Sequence, residues 1–135
     1  MRFLLGVALV LAACGSAGGR ATIVPAAPRA TVVPAWWPSD FTPYADRLTA
    51  WRWLKKSEFD CTYSDVSCWG MKVITRDGCP SSLYVELSIL DSSGTAIGYT
   101  NDTVGSVAAR QEAKLVFDTF EEDAEKARLA EISCY

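Results

Sequence analysis

Along residues 82–103 apolar side chains recur at every second position: Leu83, Val85, Leu87 and Ile89 alternate with Tyr84, Glu86 and Ser88. A strand sends successive side chains to opposite faces, so the four aliphatic groups share one face, and that face must be buried. Asp91-Ser92-Ser93-Gly94 supplies turn chemistry, after which Ile97 and Tyr99 resume the alternation. The segment is therefore expected to be a β-hairpin with one apolar face, a core element and not an active site.

Other stretches carry the same two-residue period. Trp69, Met71 and Val73 alternate with Gly70, Lys72 and Ile74, and the Asp77-Gly78 pair ends that strand in a turn. Residues 114–120 place Leu115 and Phe117 on one face and Val116 and Phe120 on the other, the pattern of a strand covered on both sides. The run 121–130, rich in Glu, Ala and Lys, is helix-forming by propensity, yet Ala130, Ile132 and Cys134 return to strand period. We read an acidic turn followed by a final strand. About five short antiparallel strands with turn signals every 8–12 residues or so predict an all-β sandwich over residues 61–135.

Residues 69–135 resemble the FxLYD-type domains of Gram-positive surface and secreted proteins. Leu87-Ser88-Ile89-Leu90-Asp91 stands where that family has its signature, followed by Gly94 and Ile97-Gly98-Tyr99-Thr100. Only Asp91 is identical within the five-residue signature, and Ala108-Ala109-Arg110 replaces the family's later Pro-Gly turn. The resemblance implies an immunoglobulin-like antiparallel β-sandwich. The chain is also similar to small uncharacterised lipoproteins of actinobacteria, which implies a location and no catalytic residues.

The N-terminus bears on location directly. After Met1-Arg2 comes an apolar run over residues 3–13, long enough for a signal-peptide core but short of the roughly 20 residues that span a bilayer. It closes on Leu11-Ala12-Ala13-Cys14, which resembles the lipobox of bacterial lipoproteins. That resemblance implies a signal peptide over 1–13, cleavage before Cys14, and diacylglyceryl attachment to its thiol. Two or more acyl chains hold a protein stably where one does not, so Cys14 would keep the chain on the outer face of the cell membrane. Ordinary secretion with an unmodified cysteine is the alternative. Residues 15–40 hold four of the six prolines, six alanines and three charges without any apolar period. We read 14–40 as a Pro/Ala-rich tether, reaching about 30 Å as a coil and about 80 Å if extended.

The segment 41–60 links tether and sandwich. Trp36, Trp37, Phe41, Tyr44, Trp51 and Trp53 crowd into residues 36–53. Thr42-Pro43 at the start and Lys55-Lys56 at the end favour a short helix over 43–56, with Tyr44, Leu48 and Trp51 on one stripe; the Trp51/Trp53 spacing suits a strand instead. Such aromatics can form a platform for sugar rings or peptide, or can pack across the sandwich and fill its open side. Trp36 and Trp37, flanked by prolines at the tether's edge, are the candidate binding surface.

Cys61, Cys68, Cys79 and Cys134 lie in a chain expected to be exported, so two disulfides are expected and a metal is not, there being no CxxC and no histidine. Pairing 61 with 68 and 79 with 134 closes loops contributing roughly 2.5 and 4 kcal/mol, and the next arrangement sums to within about 1 kcal/mol. Layout favours the first: 61 and 68 flank a polar turn, while 79 and 134 border strands.

The absence of histidine excludes Ser-His-Asp and Cys-His catalysis. Asp91, Asp102, Asp118 and Glu121-Glu122-Asp123 remain as candidate glycosidase carboxylates, or as a calcium site without EF-hand spacing. Residues 61–135 carry twelve acidic against six basic side chains, which argues against a nucleic-acid partner. The expectation is a non-enzymatic, lipid-anchored envelope protein, without cofactor, that binds protein or glycan. An envelope hydrolase and a phage-type exclusion or inhibitor lipoprotein are the alternatives.

Overall fold

The two-residue period at 83–90 builds a central strand. In the computed structural model, which describes residues 35–64 and 66–135, this strand, β4 (Leu83–Leu90), is flanked on both edges, by β5 (Ala96–Val104) and β7 (Lys126–Cys134). Both its edges are hydrogen-bonded and its apolar face is covered by the other sheet: Leu83, Val85, Leu87 and Ile89 are all fully buried. The second sheet runs in the order β1 (Thr42–Pro43), β2 (Thr49–Trp53), β3 (Ser67–Thr75), β6 (Glu112–Thr119), all antiparallel. The orders β2-β3-β6 and β5-β4-β7 match strands A-B-E and C′-C-F of an immunoglobulin-like sandwich. The described residues contain no α-helix, only a 3-10 turn at Lys56–Glu58.

The core lies between the sheets. In the register of β3 and β6, Met71 stands opposite Leu115 and Val73 opposite Ala113, and this layer packs with Phe117 against Leu83, Val85 and Leu87 of β4. Each such side chain stabilises the fold by about 1.5–3 kcal/mol over its exposed state.

Three expectations are corrected or refined. Residues 43–56 are not helical. The Asp46 carboxylate accepts hydrogen bonds from the Leu48 and Thr49 amides and closes a tight turn with Arg47 at φ 56°, so the chain reverses into β2. Tertiary pairing with β3 thereby overrides the end signals, and Leu48, assigned to the helical stripe, is 40% exposed. Segment 41–60 thus supplies strands of the first sheet. Phe120 does not cover the outer face of β6: it falls just beyond the strand and is exposed against Tyr63, while Val116 alone is covered. The acidic run does form a turn followed by a strand. Its mixed signal has a cause in a β-bulge: Glu86 pairs with Glu131 and Leu87 with Leu129, leaving Ala130 as the extra residue. The inward positions switch there from Ala127 and Leu129 to Ile132, which breaks the two-residue period in the sequence.

Both disulfides have the connectivity that layout favours, Cys61–Cys68 and Cys79–Cys134. The expected signal peptide 1–13, Cys14 and the tether through residue 34 lie outside the described residues.

Candidate functional site

The two lateral sides of the sandwich are built differently. Where β5 approaches β6, side chains stitch the sheets together: the Asp102 carboxylate accepts the Val116 amide at 2.9 Å, and the Thr100 hydroxyl donates to the Asp118 carbonyl at 2.7 Å. Where β2 approaches β7, the Tyr44 hydroxyl accepts the Ile132 amide at 3.3 Å, and β1 covers β2 only opposite Ala50 and Trp51. Beyond Trp51 the rim of β2 is open.

Aromatic side chains line this open side. Trp51 and Trp53, two residues apart, point the same way, toward the other sheet, and meet edge to face with centroids 5.5 Å apart. Trp51 rests on the main core and Trp53, at the rim, is 37% exposed. A groove of about 670 Å³ runs along one side of the pair, bordered by Asp40, Thr42, Arg52, Lys55 and Glu58. On the other side a cleft of about 370 Å³ lies between Tyr44 and residues 127–129 of β7.

The polar wall of the larger groove is held in place by charge. Arg52 donates two hydrogen bonds to Glu58, at 2.7 and 3.1 Å, its Nε lies 3.2 Å from Asp40, and its guanidinium stands over the Phe41 ring. The Lys55 amide also donates to Glu58. Hydrogen bonding by Arg52, then by the Lys55 amide, holds the Glu58 carboxyl at about 2, against an ordinary value of 4.5. The groove therefore runs along the open edge of β2, with the indoles on the core side of that strand and the fixed, charged Arg52–Glu58 pair on its outer face.

The residues singled out from sequence have other places. Trp36 and Trp37 are half-buried over Phe41, Ala50 and Ile74 on the outer face of the first sheet, and the Trp36 indole donates to the Arg47 carbonyl at 3.0 Å. They brace the β1–β2 turn. Among the candidate acids, Asp91 accepts from the Ser93 hydroxyl and the Thr95 amide within the β4–β5 turn, and these bonds lower its pKa. Asp102 holds Val116, and Asp118 accepts the Thr62 amide at 3.2 Å. The Asp118 carboxylate and the sulfurs of Cys61 and Cys68 lie within 4.8 Å of one another, but as a disulfide these sulfurs are not thiolate ligands.

The sequence marks Trp51 and Trp53 as a strand alternative to a helix and as part of an aromatic platform or packing segment, without indicating a groove. Its one signal is the two-residue spacing of the indoles. No family model matches the chain, and no curated protein and no solved structure matches it.

Proposed function

We propose that this chain is a lipid-anchored, non-enzymatic protein of the bacterial cell envelope whose sandwich binds glycan in the Trp51/Trp53 groove. Anchorage rests on Leu11-Ala12-Ala13-Cys14 after an apolar run too short to span a bilayer. The observation that carries the binding reading is the indole pair at an open rim beside the Arg52–Glu58 pair. Sugar rings offer flat C–H faces to indoles and hydroxyls to fixed charged groups, and binding sites combine apolar lining with a few placed polar groups. Chemistry at neutral pH has less support. The two most displaced titrations among the described residues, Glu58 at about 2 and Tyr84 at about 12 through its hydrogen bond to Glu86, both move away from neutrality.

A second reading, that an extended protein segment adds to the outer edge of β7, is favoured by that edge, which no strand of the described residues pairs and where the Tyr44 hydroxyl accepts one amide. The two are separated by co-sedimentation of the exported protein with purified wall polysaccharide. Retention by polysaccharide, with at least tenfold weaker binding by Trp53→Ala that still melts cooperatively, supports glycan. Equal retention of both proteins refutes the groove. Cys14→Ser is expected to move the protein from membranes to the medium, and a membrane-bound mutant refutes the anchor.

A further inference from the structure

On the outer face of the first sheet, at the far end from Trp36 and Trp37, the Cys61–Cys68 disulfide sits among charged groups. The Lys56 ammonium donates to the Cys68 carbonyl at 2.7 Å, which fixes it 3.4 Å from the Cys68 sulfur and 3.9 Å from the Cys61 sulfur. The Phe59 ring lies 5.0 Å from the same ammonium. Asp118, cross-strand partner of Cys68, brings its carboxylate within 4.8 Å of both sulfurs. A pocket of about 240 Å³, lined by Trp53, Lys56, Phe59, Cys68 and Trp69, opens beside the bridge. Cys68 is 3% exposed, while Cys61 is only partly covered.

We propose that Cys61–Cys68 is a redox-active disulfide that exchanges with an exported dithiol, Cys61 being the attacked sulfur and Cys68 the leaving thiolate held by Lys56. The donor's thiolate attacks the Cys61 sulfur in line. A donor–Cys61 bond forms, the Cys61–Cys68 bond breaks, and its electron pair passes to the Cys68 sulfur beside the ammonium. The donor's second thiol then attacks its own sulfur in the mixed disulfide and expels Cys61 as thiolate. Cys61 takes up the proton given up by that second thiol, with the Asp118 carboxylate placed to relay it. The donor, entering as thiolate and thiol, leaves as a disulfide, having lost two electrons and one proton; the protein gains these, leaving Cys61 as a thiol and Cys68 as a thiolate beside the Lys56 ammonium.

Exchange is faster when the leaving thiol is more acidic, and a neighbouring ammonium makes it so. The Asp118 carboxylate, within 4.8 Å of both sulfurs, opposes this at Cys68, and the Lys56 variants below read the net effect. Among the described residues, no hydrogen bond or ion pair brings a cation to the Cys79–Cys134 bridge. Cys134 is exposed, so access does not separate the two bridges; but Cys79 is fully buried among Val107, Leu83 and other core groups, where an expelled thiolate would be desolvated.

Reduction of the full-length protein by dithiothreitol at pH 7, with timed alkylation and peptide mass spectrometry, tests the proposal. Cys61 and Cys68 are expected to be labelled at least tenfold faster than Cys79 and Cys134. Lys56→Met is expected to slow that labelling roughly tenfold, and Lys56→Arg to restore it, which a merely structural role for Lys56 does not require. Equal rates for the two bridges, earlier opening of Cys79–Cys134, or wild-type kinetics in Lys56→Met would overturn it. The comparison of the two bridges in the wild-type chain requires no variant to fold.

Discussion

Gly70 lies in the middle of β3 with the Phe59 ring laid directly over it. A methyl group at Gly70 would stand 2.5 Å from Cδ1, 2.7 Å from Cγ and 2.9 Å from Cε1 of that ring. Phe59 is 6% exposed and packed with Leu54 and Cys68, so the ring must be pushed outward as a whole. Overpacking of this kind costs about 1–3 kcal/mol, and replacing a mid-strand glycine by alanine returns about 0.5–1 kcal/mol through backbone entropy. Gly70→Ala is therefore expected to destabilise the domain by about 1–2 kcal/mol, with each kcal/mol lowering Tm by about 4–8 °C in a domain of this size. The informative experiment is a double-mutant cycle read by thermal and denaturant unfolding. Phe59→Ala alone costs about 3 kcal/mol; in that background the clash is gone and Gly70→Ala should stabilise by about 0.5–1 kcal/mol. The substitution thus reverses sign with its partner. A Gly70→Ala protein that melts higher than wild type, or an equal loss in both backgrounds, refutes the assigned packing.

Two further outcomes follow from single side chains. Asp102→Ala orphans the Val116 amide and is expected to cost about 1–3 kcal/mol, with faster hydrogen exchange at Val116, whereas Asp102→Asn keeps an acceptor and most of the protection. Because the folded pKa of Glu58 lies near 2, below its ordinary 4.5, its stabilising effect is complete above about pH 4.5 and is lost as pH falls toward 2. Denaturant midpoints of wild type and Glu58→Gln should therefore differ at pH 6 and converge toward pH 2; a gap that persists at pH 2 contradicts the Arg52 assignment.

What could be read from the sequence was the part governed by a strict local period. Leu83 to Ile89 alternate because the inward face of central strand β4 is buried against the other sheet along its length, so every inward position is apolar and nothing interrupts the pattern. Residues 126–134 were harder, since the bulge at Ala130 exchanges inward and outward positions midway along the strand. The segment 43–56 misled for another reason. Pro43, Asp46 and Lys55 are good helix-end residues, but Asp46 caps a hairpin turn instead, and pairing with β3, invisible in a local window, decides the outcome. The candidate site was least legible. Trp36 and Trp37 drew notice through position and composition, yet they cover Ala50 and Ile74, while the groove depends on which strand ends up at a rim.

The unequal sides of the sandwich connect these points. An exposed strand edge invites pairing with other chains, and a protein must cover it or use it. On the β5/β6 side, Asp102 and Thr100 take up backbone groups of β6, and that is why Asp102, one of the candidate acids, has its carboxylate engaged in the fold. On the β2/β7 side one tyrosine hydroxyl makes the link, and the rest of the rim is given to two indoles and an ion pair. Aromatic area left half-exposed at a rim costs stability that the same residues would supply if the sheet were closed over them. Asp102 and Thr100 thus close one side of the sandwich, while Trp53 stays exposed on the other, and the glycan proposed above would meet the fold at that open side.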